Sequence, residues 1–573
     1  MFKLLKYLKE YKKEAVLAPL FKMSEALLEL FVPLIVSSLI DVGINGTGGR
    51  EYIVKMCLLL VLFGLAGLGL SVTAQYFAAK AAVGFTKQVR FRLFEHIQQM
   101  KYSKLDKIGT STLMTRLTSD MNQVQNGLNL TLRLLLRSPF VVFGSMVMAF
   151  TVNSRLALIF AVAIPLLAIV VFSIMLACIP LYKKVQAQLD SLLGAARENL
   201  TGVRVIRAFC KEENEKKRFN ERNEILTAGQ VKVGRISALM NPVTYVIVNL
   251  AIAYLIYRGA ISVEAGIVTQ GALIALYNYM TQILVELIKL ANLIINITRS
   301  IACGNRVEAV LEEDTGEIGG KETETDENAP AVEFDGVSLI YGDNREPSIE
   351  NISFTVQKGQ TVGIIGGTGS GKTSVVNMIP AFYPASSGTV KVFGKDVKDL
   401  DKDYLRSLCG VVPQKARLFK GTIRDNLLWG NEKADDSALE KALEISQSKE
   451  IVAAKTDGLD SPVEQNGRNF SGGQKQRLCI ARALVKQPKI LILDDSASAL
   501  DYATDLKLRR GIAELKDTTV FIVSQRTSSL KHADLILVLD DGHISASGTH
   551  EQLLENSPLY REIHYSSNKE ETK

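Results

Sequence analysis

Eight consecutive residues have the types and spacing to hold a phosphate chain. Gly366, Gly367, Thr368, Gly369, Ser370, Gly371, Lys372 and Thr373 fit the pattern G-x-x-x-x-G-K-[ST], and Ser374 follows. Glycine lets successive backbone N–H groups curl around phosphate oxygens. In this pattern the lysine sets a cation against the β- and γ-phosphates and the threonine offers a hydroxyl to Mg²⁺. A helix opening at this point adds its positive end. The apolar run Thr361–Ile365 before the loop and the helix-compatible run Ser374–Ile379 after it are the strand and helix that the motif requires. A second apolar run, Lys489–Leu493, ends in Asp494, where a carboxylate would orient the water shell of the metal.

These motifs lie in the second of two dissimilar halves. After Pro330 the chain has the composition of a soluble α/β protein, whereas long apolar runs crowd the first 300 or so residues. Residues 312–330 (EEDTGEIGGKETETDENAP) are acidic and nearly free of apolar side chains, and they read as a linker. The partition is therefore 1–311 as a membrane domain, 312–331 as an acidic linker and 332–573 as an α/β domain.

About 20 mostly apolar residues cross a bilayer. Runs of that kind fall at roughly 15–41, 53–78, 131–152, 156–180, 239–259 and 271–296, so the first domain is expected to be all-α and polytopic. Residues 42–52 and 153–155 are short turns, whereas 79–130 and 181–238 are long, polar and helix-compatible. No proline falls between Pro33 and Pro139, nor between Pro180 and Pro242. A helix of about 45 residues is roughly 65–70 Å long against a hydrocarbon core of about 30 Å. These helices should therefore extend past the bilayer, reverse near Lys107–Ser111 and Gly202–Cys210, and return. Each reversal would hold a short helix where a soluble domain could push on it.

The formal net charge is +7, and the Lys and Arg residues gather at the N-terminus and in the two long polar loops. That places these loops, the N-terminus and the second domain in the cytoplasm. The basic residues form no stripe interleaved with aromatics, so no nucleic-acid partner is expected. The amphipathic start, residues 1–23, reads as an interfacial helix and not as a signal peptide, and no peptidase domain is expected before it. The six cysteines form no C-x-x-C pair and read as buried small hydrophobes. Glu25, Glu29 and Glu286 fall inside the spans. They could line an acidic cavity that favours cationic amphipaths, or pair with neighbouring Lys and Arg.

The segment Phe470–Arg477 makes the resemblance specific. Its Ser471-Gly472-Gly473-Gln474 resembles the signature motif of the ATP-binding cassette (ABC) superfamily, and six spans with long extensions resemble the exporter type, so the resemblance covers the whole chain. It implies ATP and Mg²⁺ as ligands. Tyr341 would stack on adenine, Gln414 would link metal and nucleotide to the membrane domain, and Asp501 would belong to the D-loop. The resemblance also implies a dimer in which Ser471–Gln474 complete the partner's site, a bacterial plasma-membrane location, and amphipathic small molecules or lipids as cargo.

Three positions depart from that pattern. Asp495 stands where a Glu normally positions the attacking water, and Gln525 stands where a His normally holds the γ-phosphate. In addition, Val463–Gly467 replaces a usual Val-Gly-Glu run. The lost methylene would leave the carboxylate about 1–1.5 Å short, and glutamine carries no proton or charge to the phosphate. The combination resembles the degenerate-site subunit of bacterial heterodimeric multidrug exporters. A regulatory ATP-binding subunit that gates without pumping, or a lipid translocase, would carry the same motifs.

Overall fold

The computed structural model describes residues 1–46, 48–316, 319–326, 328–342 and 346–571. The chain forms two compact units: Met1–His96 with Ser111–Glu313, and Ile97–Thr110 with Asp314–Lys573.

The first unit is helical. Helices long and apolar enough to cross a membrane are Lys3–Ile44, Gly49–Gln98, Thr110–Val152, Ser154–Thr201, Glu212–Glu264 and Gln270–Leu311, here the first to sixth spans. The 50-residue second helix is about 75 Å long, well beyond a hydrocarbon core. Its proline-free sequence permits that length. The chain reverses through a short helix Tyr102–Ile108 ending at Gly109 (φ +78°), and again through Val203–Ala208, with Cys210 at φ +50°. The first reversal begins earlier than the expected Lys107–Ser111, because Gly109 closes only its second corner.

The third and sixth spans run antiparallel at close range. A Cβ on Gly127 would lie 2.2 Å from the Ser300 side chain, so only glycine permits the approach. Tyr279, fully buried, donates its hydroxyl to the Leu30 carbonyl at 2.6 Å and ties the sixth span to the first. The outer ends of the same two spans are joined by Asp41. It accepts from Thr269 Oγ1 (2.6 Å) and from Gly271 N (2.8 Å), capping the start of the sixth span.

Of the two readings of the acids in the spans, the packing shows pairing with Lys and Arg. Glu25 is paired with Lys22 at 2.5 Å, Glu29 with Arg137 at 2.6 Å, and Glu286 with Arg137 at 2.7 Å and Lys289 at 2.9 Å. An isolated carboxylate in low dielectric is costly, and here each has a cation within contact distance. The cysteine reading also needs amendment. Cys178, Cys303, Cys409 and Cys479 are buried, but Cys57 and Cys210 are exposed.

The second unit is built on a six-stranded sheet in which Thr361–Gly366, Thr519–Val523 and Ile490–Asp494 are parallel neighbours. Ile490–Asp494 is buried along its whole length, as a strand covered on both faces must be. A four-stranded antiparallel sheet, which includes Val332–Leu339 and Ile349–Val356, accompanies it. Part of the acidic stretch expected as a linker belongs to this unit. Gly320 N donates to Leu400 O, Asp401 N donates to Glu322 O, and Lys395 pairs with Glu322. Backbone bonding thus overrides its linker-like composition, while Glu317, Ile318 and Glu327 of that stretch lie outside the described residues.

Asp41→Ala should cost about 1–3 kcal/mol, because it strands the N–H of the buried Gly271, while the exposed Thr269 hydroxyl turns to water. Thermal unfolding of the purified chain checks this; an unchanged midpoint would show that the cap contributes nothing.

Candidate nucleotide-binding site

In an open parallel sheet, ligands bind beyond the carboxyl ends of the strands. Here three adjacent strands end together and deliver the loop residues Gly367–Gly371, the pair Asp494–Asp495, and Ser524–Gln525. Two backbone bonds fix their mutual level: Asp495 N to Val523 O at 3.0 Å and Ser524 N to Ile364 O at 3.1 Å. Thr368, Gly369, Gly371, Asp494, Asp495, Ser524 and Gln525 line a cleft of about 320 Å³ together with Ser348, Lys372, Thr373, Ser374 and Gln414.

The loop takes the conformation its glycines allow. Gly369 and Gly371 have φ of +89° and +93°, and a Cβ on Gly371 would lie 2.5 Å from Ile349 Cγ2. The helix Lys372–Met378 starts directly after Gly371. Lys372 Nζ donates to the Gly366 and Gly367 carbonyls at 2.9 and 2.5 Å, placing the ammonium at the rim of the loop. Burial pulls its pKa below the usual lysine value, against the opposing charges of Asp495 and Asp494. Thr373 Oγ1 donates to both oxygens of Asp494 at 3.0 Å. Burial pushes the Asp494 carboxyl above the usual range, the Thr373 bond and the Lys372 charge work against that, and the Asp495 charge adds to it.

Asp495 has a left-handed backbone, φ +47°, uncommon outside glycine. Its carbonyl accepts from Ser498 Oγ at 2.9 Å, and its carboxylate accepts from Gln414 Nε2 at 3.4 Å. Gln525 is exposed at the cleft. Tyr341 donates its hydroxyl to Ser374 Oγ at 3.0 Å. Its ring meets Tyr383 edge-on at 4.9 Å, and Tyr383 in turn donates to Asp106 of the Tyr102–Ile108 helix. Tyr102 packs on Phe382 at 4.8 Å. The first reversal helix is thereby connected to the start of the phosphate-loop helix through two tyrosines. Tyr383 carries no motif by which the sequence could have marked it.

The Ser471–Gln474 turn opens the helix Gly472–Val485 as a capping box. Gln474 N donates to Ser471 Oγ at 3.3 Å, and Ser471 N donates to Gln474 Oε1 at 2.9 Å. The turn does not line the cleft of its own chain. Asp501 caps the helix Tyr502–Ala513, accepting from Thr504 N at 2.9 Å. Gln476, passed over in the sequence, is buried. Its Oε1 accepts from Ala499 N at 3.1 Å and its Nε2 approaches the Asp495 carbonyl at 3.4 Å, so it ties the signature helix to the loop that carries Asp495.

The chain matches the family models for the ABC transporter transmembrane region over residues 16–287 and for the ABC transporter over 349–498. It is 35% identical over 573 residues to the uncharacterized ABC transporter ATP-binding protein YfiB of Bacillus subtilis (strain 168), covering 99% of this chain and 98% of that one. It is 33% identical over 478 residues to the probable multidrug resistance ABC transporter ATP-binding/permease protein YheI of the same organism, covering 83% and 82%. Its fold is that of a bacterial Atm1-family ABC exporter with ATP bound, at a TM-score of 0.80 and 23% identity over 97% of this chain and 98% of that one. The chain belongs to the ABC transporter family, as an exporter-type half-transporter with six helices able to span a membrane and one ATP-binding domain.

Gln476→Leu keeps the volume but leaves Ala499 N without its acceptor. Amide exchange at residues 497–501 should speed up by about tenfold or more, for a loss of about 1–3 kcal/mol. Unchanged exchange there would remove Gln476 from the account.

Proposed function

We propose that this chain is one half of a heterodimeric, ATP-driven exporter in the bacterial plasma membrane. Its N-terminus and ATP-binding domain face the cytoplasm, in keeping with the Lys- and Arg-rich long loops. Its own cleft binds ATP firmly and hydrolyses it slowly, and its Ser471–Gln474 turn completes the faster site of the partner. The observation that carries this reading is Asp495 in a cleft with Gln525 and with the phosphate loop intact. Binding needs the loop amides, Lys372 and the helix start, all present. Hydrolysis needs a base that reaches the attacking water, and a carboxylate one methylene short loses the near-attack geometry.

Mg²⁺ suits the donor set: the Thr373 hydroxyl, the Asp494 carboxylate acting through water, and the Gln414 amide oxygen are hard oxygen ligands. Lys372 and the loop amides would hold the phosphates, and Tyr341, bonded to Ser374, would stack on adenine. ATP binding closes the paired cassettes, and the reversal helices pass that closure to the spans. The cargo is an amphipathic drug or lipid-like molecule, and the probable multidrug designation of YheI supports the drug class.

ATP turnover by the chain alone, and with its partner, tests this. The chain alone should be nearly idle and the pair active, and Asp495→Glu should raise turnover in the pair. Full turnover by the chain alone would make it a homodimer in which Asp495 suffices as base.

A further inference from the structure

Pairing of the acids leaves a charge of the other sign in the membrane unit. Arg137 and Lys289 balance Glu29 and Glu286, with Ser138 Oγ adding a bond to Glu286 at 2.9 Å. Arg133, one turn before Arg137 on the third span, has no ion pair among the described residues. Arg133 Nε, Arg137 Nε and Asn129 Oδ1 are all buried without a hydrogen-bond partner, and Arg137 as a whole is 7% exposed. Residues 129 and 133 are four apart on the helix Met121–Leu134 and share one face, and Arg137 opens the helix Arg137–Val152 that follows. Pro139 sharpens the place. It has no N–H to give the Leu135 carbonyl, and the helix loosens at residues 135–136, between the two arginines. Contacts with the sixth span bracket the stretch on both sides, at Arg137–Glu286 and at Val124–Ser300.

Arg133 carries a charge with no ion-pair partner among the described residues, and buried donors without partners are costly. An anion between Arg133 and Arg137 relieves both. The Asn129 amide can turn its NH₂ toward the same point. Arg133 and Arg137 fall in the apolar run 131–152, with Asn129 at its edge, so an anion on an apolar carrier can reach them from the bilayer. We propose that Asn129, Arg133 and the free edge of Arg137 receive the phosphate or carboxylate group of an anionic amphiphile. This rests on the exporter reading and names the charge of its cargo, opposite to the cationic preference that an acidic wall would give.

The test is thermal unfolding of the full-length chain in dodecyl maltoside, under saturating Mg-ATP so that the phosphate loop is filled. Three probes are compared: dodecyl phosphate, dodecyltrimethylammonium and inorganic phosphate. Dodecyl phosphate should stabilise saturably and the other two should not. Arg133→Gln should weaken its apparent affinity by about tenfold, one charge-assisted hydrogen bond's worth, and Arg133→Lys should restore most of it. Arg133 has no partner to strand, so the variant should fold. Equal stabilisation of wild type and Arg133→Gln would overturn the proposal. So would a loss in Arg258→Gln instead, which would put the anion at an exposed arginine of the fifth span, or equal effects of dodecyl and inorganic phosphate. Saturable binding without transport of the amphiphile by the pair would leave this site standing and overturn its role as a cargo site; transport without binding would overturn the site and leave the proposed export standing.

Discussion

A triphosphate can be held only where fixed N–H donors, a cation and a metal-binding carboxylate meet at one point. Here that point is set by the parallel adjacency of Thr361–Gly366, Thr519–Val523 and Ile490–Asp494. Each strand ends at a different functional residue, and two cross-strand backbone bonds hold those ends level. If the register slipped, Asp494 would leave Thr373, and the cleft would lose the hydrogen bonds that join them. The two elements attached to this point, the signature helix through Gln476 and the first reversal helix through Tyr383 and Tyr341, both act on a frame that the strands have already fixed.

The membrane unit obeys a different constraint. In low dielectric a charge needs a partner, and the partner decides which helices stay together. Arg137 joins the first, third and sixth spans through Glu29 and Glu286, while Asp41 joins the first and sixth at their outer ends. Close packing at Gly127 makes these ties possible by letting the helices approach.

The phosphate loop was legible because its chemistry is local: glycines, lysine and threonine work within a single turn. The spans were legible because crossing a bilayer demands a long apolar run, and the absence of proline marked how far the helices continue. Long-range pairing was not legible. Nothing near Glu286 in the sequence points to Arg137, so the choice between an acidic cavity and paired acids stayed open until the spans were packed together. Tyr383 and Gln476 were missed for the same reason, since each acquires its role from a residue on another element. The acidic stretch before Ala331 looked like a linker because its side chains are polar, whereas its backbone amides and carbonyls bond to the sheet edge near Leu400.

The central claim is that this cleft binds nucleotide well and cleaves it poorly. The most direct measurement is the identity of the nucleotide retained on this chain. The chain and its partner are incubated together with Mg-ATP for many turnovers, freed of unbound nucleotide, and the nucleotide photocrosslinked to each subunit is identified. The account predicts ATP on this chain and ADP on the partner. ADP on this chain would contradict it, because Asp495 and Gln525 would then run hydrolysis as they stand.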